Sequence, residues 1–397
     1  MRIGINCVKV RPSYVGGVNS YTFGLIDGLL KVNTVDTICI FVCRKNEHLF
    51  VKYENHENVL VIRAERDNFL TIIKKAIKGI SIYIGSPFVF KIINDLLFRS
   101  VAKIIEDNSD IIYIPTVQLD YYSYKKPVVL SMHDIQHVHF PEYFTKTSLI
   151  YGKTLFELST KCANYFQASS KFIKDDLLKH FSNLREDQIT VIPEGVNISE
   201  FSEPQNSLNT SEEYDLPEEF ILFPAQLWKH KNHITVLKAL NILKKEGLIV
   251  PLVMTGQKYS ASPEIFGYIN ENNLTDVYYL GIVSFKNLVA LYQKASFLIT
   301  AVLYESSSLP ILEAAAAGTP IIASKTPPNI EMSHILSINL FGPSDENELA
   351  DLIRRLWKNE KARAEQIDHN KEHILYYSWE NAAERYQEYF RNCLCSP

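Results

Sequence analysis

The sequence predicts an α/β protein of two doubly wound, Rossmann-like domains, and three observations lead there. The chain has 397 residues, more than one hydrophobic core usually organises. Short runs rich in Val, Ile, Phe and Tyr alternate with longer segments of helical periodicity, the pattern of a parallel sheet with helices on both faces. A polar stretch from Ser199 to Glu213, containing Pro204, interrupts the alternation, which then restarts. A single barrel of eight regular βα units accommodates that break poorly.

The first set of expected strands is Arg2 to Val8, Thr37 to Cys43, Val59 to Arg63, Ile111 to Pro115, Pro127 to Met132, Tyr165 to Ala168 and Ile189 to Pro193. Helical spacing marks Val18 to Lys31, Leu149 to Ala163 and Lys171 to Phe181 between them. Beyond the polar break come Phe220 to Pro224, Val250 to Thr255, Val277 to Leu280, Ser296 to Ala301 and Pro320 to Ser324. Near the end, Trp379, Ala382, Ala383, Tyr386 and Phe390 fall on one helical face. The division expected is an N-terminal domain at 1–198, a linker at 199–217, a C-terminal domain at 218–377 and a closing helical segment at 378–397. Open parallel sheets bind ligands beyond the carboxyl ends of their strands, so two such domains facing each other make an interdomain cleft.

Composition excludes several classes. Hydrophobic residues make up 46% and charged residues 22%, which fits a packed protein rather than a disordered chain. A net charge of −4 gives no global field for nucleic acid, so none is expected as a partner. The six cysteines show neither CxxC nor zinc-finger spacing and read as reduced thiols of a cytoplasmic protein. The first residues are interrupted too early by Lys9 and Arg11 to form a signal peptide. Residues 69–104 are the most apolar stretch, but their lysines, Asp95 and Arg99 leave no uncharged run long enough to span a bilayer.

The strongest chemical signal runs from Tyr304 to Pro320. A strand ends near Ala301, a small-residue loop holds Glu305, Ser306, Ser307 and Ser308, and Pro310 opens a helix that stops at Gly318. The free N–H groups of Ser307, Ser308 and Leu309 would then stand at a helix N-terminus, where a phosphate is stabilised. Glu305, before the helix, is placed to meet a sugar; Glu313, one turn in, to accept hydrogen bonds from paired ribose hydroxyls. After the strand ending at Pro224, Lys229, His230 and Lys231 make an electropositive loop of diphosphate size. No Asp-x-Asp follows an expected strand, so no metal is expected on the diphosphate. His133 follows another strand end, and a metal reading of His133, His137 and His139 is disfavoured because only His133 and His137 share a helical face.

Glu-x7-Glu with Leu309-Pro310-Ile311-Leu312-Glu313-Ala314, followed by Gly318-Thr319-Pro320-Ile321-Ile322-Ala323-Ser324, resembles the donor motif of the retaining glycosyltransferases of family 4, which have the GT-B fold. Gly16-Gly17-Val18 resembles that family's N-terminal glycine loop, in keeping with the close backbone approach that paired glycines allow. Gly195-Val196-Asn197 with Phe201 resembles its Gly-Val-Asp segment, with Asn for Asp, and Trp379-Glu380 its final helix, which crosses back to the first domain. The resemblance spans nearly the whole chain. It implies an acceptor-binding first domain, a donor-binding second domain and transfer of a hexose from a nucleotide diphosphate sugar with retention. It also implies Lys231 as the main phosphate ligand, His133 and Glu305 beside the donor sugar, and no cofactor. Gln226 stands where the family has an Arg, which removes one fixed charge and implies either compensation by Lys229 or His230 or weaker binding of the leaving group.

The phrases His133-Asp134-Ile135-Gln136-His137 and Gln226 to His233 look most like bacterial mannosyltransferase-type polysaccharide enzymes, implying GDP-mannose as donor and a glycan or lipid-linked acceptor. The alternatives are a GT-B nucleotide-sugar epimerase or phosphorylase, and a non-catalytic nucleotide-sugar-binding protein. Residues 69–104, locally basic and apolar in an acidic chain, are read either as ordinary domain helices or as a peripheral surface for anionic membrane.

Overall fold

The computed structural model describes residues 1–11, 17–32, 36–65, 69–82, 86–204 and 214–395. The chain divides into two compact units, one of Met1–Gly195 with Trp379–Pro397, the other Val196–Ser378. Residues 205–213, within the expected linker, lie outside the described residues. Ile198–Ser202 are helical, and Phe201 is buried among residues of the second unit.

In the first unit seven strands form one parallel sheet: β1 (Arg2–Asn6), β2 (Thr37–Cys43), β3 (Val59–Glu65), β4 (Ile111–Ile114), β5 (Val128–Met132), β6 (Tyr165–Ala168) and β7 (Ile189–Val191). Their order is β3-β2-β1-β4-β5-β6-β7. The inner strands are buried along their length, as Ile-Ile-Tyr-Ile of β4 and Val-Val-Leu-Ser-Met of β5 illustrate. This is why they read as continuous apolar runs rather than alternating ones. The helix Trp379–Cys395 packs on the helix Gly17–Lys31 and buries Ala382, Ala383, Tyr386 and Phe390 in this unit's core. Two glycines make the contact: a Cβ on Gly24 would stand 2.1 Å from the Trp379 ring, and one on Gly28 2.4 Å from its carbonyl oxygen.

In the second unit six parallel strands are β8 (Ile221–Pro224), β9 (Leu252–Thr255), β10 (Val277–Tyr279), β11 (Phe297–Thr300), β12 (Ile321–Ser324) and β13 (Asn339–Phe341). Their order is β10-β9-β8-β11-β12-β13. The three-residue edge strand β13 is the one the sequence pattern misses, because its flanking Ser and Asn residues look like loop. The helix Leu309–Ala317 buries Ile311, Leu312, Ala314, Ala315 and Ala316, and Gly318 ends it at φ 74°, the left-handed position that favours glycine.

Strand order reverses between β1 and β4 in one sheet and between β8 and β11 in the other. Ligands of doubly wound sheets bind where the loops leave such a reversal in opposite directions. Among the described residues no helix is long and apolar enough to cross a membrane. All six cysteines are free, four of them buried.

Candidate active site

The loops leaving β8 and β11 flank the second unit's reversal, and the structure stitches them together. Lys231 Nζ stands 2.9 Å from Glu305 Oε2. The Leu303 N–H donates to the His230 carbonyl at 2.8 Å. Asn232 takes a left-handed backbone, φ 57°, just before the helix His233–Lys245, a conformation that Asn tolerates better than most residues. From there its side-chain amide donates to the Ala301 carbonyl at 3.1 Å and to the Pro343 carbonyl at 2.7 Å. Lys231 is therefore delivered by a turn anchored to the end of β11.

Beyond Glu305 the chain enters the helix Leu309–Ala317. Among the described residues, the N–H groups of Ser307, Ser308 and Leu309 donate to no protein acceptor. Ser308 is fully buried, and its hydroxyl also lacks a partner. Four orphan donors thus collect at the positive end of a helix, an arrangement suited to an anion. Glu313 accepts from the Tyr292 hydroxyl at 2.6 Å through Oε2, which leaves its other oxygen without a protein partner among the described residues. Burial raises the Glu313 pKa, against the lowering effect of the Tyr292 hydrogen bond. A donor reaching Glu313 would favour its charged form.

The electropositive loop is weaker than its sequence suggests. Burial first, then the neighbouring Lys231 and His233, pull His230 down to about 3, so it is neutral and cannot replace the missing arginine. Lys229 is exposed, and Lys231 remains the partly buried cation. Gln226 turns its Oε1 to the Trp228 indole N–H at 3.1 Å, and Trp228 stacks on Tyr259 with centroids 3.8 Å apart.

In the first unit His133 follows β5, as the sequence indicates, but its side chain does not present a free nitrogen. Nε2 lies 2.8 Å from the Pro115 carbonyl and Nδ1 3.4 Å from Glu194, with Tyr21 edge-on to the ring. Burial lowers its pKa, while Glu194, the Pro115 carbonyl and Asp134 more than offset that, so the net direction is up. This is a buried histidine satisfied by its neighbours. Gly17 is the exposed first residue of the helix Gly17–Lys31, whereas Gly16 lies outside the described residues.

The described residues of the stretch 69–104 lie mainly on two helices, Phe69–Ser81 and Pro87–Asp107, while residues 83–85 lie outside the described residues. Their basic residues are not all free for a headgroup: Lys75 pairs with Glu65 at 2.9 Å, and Lys78 lies over the Phe90 and Phe98 rings. Their apolar residues are unusually open, with Phe69 75% exposed and Leu96 71%. One group of metal-ligand type occurs among the described residues, His139, Asp176 and His180 in the first unit; it contains none of the residues at the second unit's reversal.

Sequence reasoning missed Asn232, Tyr292 and Glu194. Asn232 carried a usable signal, an Asn directly before a helical run. Glu194 stood beside the recognised Gly195-Val196 pair. Tyr292 had no local signal, since its role depends on the packing of the helix Phe285–Lys294.

Comparison with known proteins agrees with this architecture. A family model described as Glycosyltransferase Family 4 matches residues 15–200, and one described as Glycosyl transferases group 1 matches residues 206–373. The solved structure of Anabaena Alr3699/HepE in complex with UDP-glucose shares the fold at TM-score 0.72 and 17% identity, covering 99% of this chain and 100% of that one. Fold and site together define a glycosyltransferase of the GT-B type. Residues 15–200 carry the family 4 glycosyltransferase domain and residues 206–373 the group 1 glycosyltransferase domain. Among curated relatives it is 26% identical over 230 residues to the O-antigen chain mannosyltransferase RfbU of Salmonella typhimurium, across 57% of this chain and 60% of that protein. It is 25% identical over 200 residues to O-antigen chain mannosyltransferase B of Escherichia coli, across 49% and 52%. The chain thus aligns with half to three-fifths of the length of these two relatives.

Proposed function

We propose that this glycosyltransferase moves a hexose from a nucleotide diphosphate sugar to an acceptor hydroxyl with retention of anomeric configuration. The observation that carries the reading is the Lys231–Glu305 pair at the second sheet's reversal, in one loop cluster with the unpartnered N–H groups of Ser307, Ser308 and Leu309. The diphosphate competes with Glu305 for the Lys231 ammonium and takes the backbone donors. As the glycosidic bond breaks, negative charge grows on the leaving phosphate oxygen, so these preorganised donors bind the transition state more tightly than the substrate. Glu305, released from Lys231, accepts from a sugar hydroxyl. The free oxygen of Glu313 accepts from the ribose. The acceptor hydroxyl attacks on the face the phosphate leaves and delivers its proton to that phosphate. Lys231 and the helix N-terminus carry the charge a metal would otherwise carry.

Similarity to two O-antigen mannosyltransferases supports mannose from GDP-mannose, and a glycan or lipid-linked acceptor of cell-surface polysaccharide synthesis, on the cytoplasmic side of the membrane. The open apolar faces support contact with an anionic bilayer. Phe69, Ile72, Ile73 and Ile80 lie on one helix, while Phe88, Ile92 and Leu96 on the next lead into exposed Arg99 and Lys103. The test is single-turnover release of nucleotide from GDP-mannose, UDP-glucose and dTDP- and ADP-sugars with a lipid-extract acceptor, with and without EDTA. GDP-mannose is expected to react fastest and to be insensitive to chelation. A faster UDP-sugar overturns the donor, and activity that EDTA abolishes and Mg²⁺ restores overturns the metal-free account. Co-sedimentation with phosphatidylglycerol vesicles should fall with salt and in Arg99→Glu/Lys103→Glu. Equal recovery of that variant and wild type would remove the membrane contact.

A further inference from the structure

The carboxyl ends of β5 and β6 are neighbours in the first sheet, with Met132 level with Ala168, so the segments that leave them are adjacent. The first contains the single helical turn Gln136–His139; the second is the helix Lys171–His180, whose N-cap Ser170 accepts from the Ile173 N–H. This brings His139 to Asp176 and His180, which no local spacing connects to it. His139 Nε2 lies 2.6 Å from Asp176 Oδ2, and His180 Nδ1 lies 3.2 Å from Asp176 Oδ1 and 2.9 Å from the Asp176 carbonyl oxygen. The two rings stand edge to face with centroids 5.4 Å apart. One ligand atom from each of the three side chains lies within 4.8 Å of the other two. The other histidines after β5 take no part: His133 is held by Pro115 and Glu194, and the His137 ring packs on Phe156 with centroids 4.5 Å apart.

The cluster suits a divalent cation in charge, access and size. The Asp176 side chain is 5% exposed, against 28% for His139 and 25% for His180, so the anionic ligand is fixed in the fold while the two imidazoles stay open to an arriving ion. The lysines of the same helix pair with other carboxylates, Lys171 with Asp175 and Lys174 with Glu186. An imidazole balances a buried carboxylate fully only when protonated, whereas a divalent cation balances it with both rings neutral and each lending a lone pair. Tetrahedral zinc, at about 2.0–2.2 Å from each ligand, sets ligand atoms roughly 3.3 Å apart. The cluster, 4.8 Å at its widest, then contracts by at most about 1.5 Å, within reach of rotations about χ in the two open rings. Two imidazoles with one carboxylate favour zinc over magnesium or calcium, which prefer all-oxygen sites. Three protein ligands leave the fourth position to water.

We propose that His139, Asp176 and His180 bind Zn²⁺, which ties the turn after β5 to the helix after β6. The site stands apart from the proposed donor chemistry and does not depend on it. The test uses the full chain, stripped with EDTA and desalted, with Zn²⁺ affinity read by competition against a chromophoric chelator and Co²⁺ as a spectroscopic stand-in. Wild type should bind a single Zn²⁺ at least tenfold more tightly than His139→Gln or His180→Gln, while Lys231→Ala keeps wild-type affinity. Co²⁺ should give the intense visible bands of a four-coordinate site in wild type and lose them in both histidine variants. Zn²⁺ should raise the melting temperature of wild type and of neither variant, and Mg²⁺ should raise none of them. If circular dichroism shows one histidine variant to be unfolded, the other decides. Equal affinity of a folded histidine variant and wild type overturns the site, as does wild type that binds no Zn²⁺. A thiolate-to-cobalt charge-transfer band would place the ion on a cysteine and overturn it equally. Nucleotide release that EDTA abolishes and Mg²⁺ restores would count against the metal-free donor reading alone, because Mg²⁺ does not refill a site of two imidazoles.

Discussion

Each unit sets a basic side chain against a carboxylate just beyond a parallel strand, and the two pairs differ in access. His133 and Glu194 face each other at 3.4 Å with side chains 9% and 8% exposed. Lys231 and Glu305 meet at 2.9 Å with 21% and 11% exposed. In the first pair the ring's other nitrogen is also taken by the Pro115 carbonyl, so every partner is protein and exchange would require opening the core. In the second, both side chains are more open to solvent, and in the proposed function an incoming anion replaces the carboxylate. The difference teaches that similar pairings at a strand end can differ in access: a more open pair leaves room for a ligand to compete, whereas a buried one exchanges only at the cost of leaving a polar group unpaired.

The largest effect that would break this comparison is expected at Lys231. Lys231→Ala should lower kcat on the order of 10²-fold or more, because the missing charge acts where negative charge develops. A mutant with wild-type kcat would show that Lys231 does not act on the leaving group. Since Lys231 and Glu305 act on one another, the double variant Lys231→Ala/Glu305→Gln should lose less than the product of the single losses.

An intermediate effect separates the two glutamates. Glu313→Ala should weaken binding of free nucleotide roughly tenfold, about 1.4 kcal/mol, the scale of a hydrogen bond to a charged group. Glu305→Gln should leave nucleotide binding nearly intact and suppress transfer. Calorimetry beside turnover distinguishes them, and the reverse assignment would mean that the ribose and sugar positions are exchanged.

The smallest effect belongs to the sealed pair and appears in stability. The folded-state pKa of His133 is raised, so its contribution is fully present below the unfolded value of about 6.5 and is lost as pH rises through the folded value. Melting temperatures measured from pH 5.5 to 8.5 should fall more steeply toward high pH in wild type than in His133→Asn. Parallel profiles would indicate that His133 does not titrate with folding.

Much of the architecture was legible before any coordinates, because strands buried on both faces must be apolar throughout. Ile111 to Pro115 and Ser296 to Ala301 carry that signature and form β4 and β11. Edge strand β13 does not, and it was missed. The helix Leu309–Ala317 was legible for a different reason: Pro310 and Gly318 punctuate it by local backbone preference, independent of tertiary packing. What the sequence hid were consequences of distance in space. His230 reads as a cation until burial neutralises it, and Lys78 as a surface lysine until Phe90 and Phe98 close over it. Tyr292 becomes a partner of Glu313 only through the packing of two helices.

The seat of Trp379 between Gly24 and Gly28 bears on the order of events during synthesis. A ribosome that has released residues 1–195 has delivered every strand of the first sheet but not the helix that covers Tyr21, Leu25 and Ile26 beside them. The second unit is one uninterrupted stretch, and nothing it needs arrives late. It can close while the earlier-made half still waits with an uncovered apolar face, the reverse of the N-terminal-first order usual for nascent domains. During that interval the uncovered face is open to chaperones, and its exposure lasts as long as translation takes to reach the final helix.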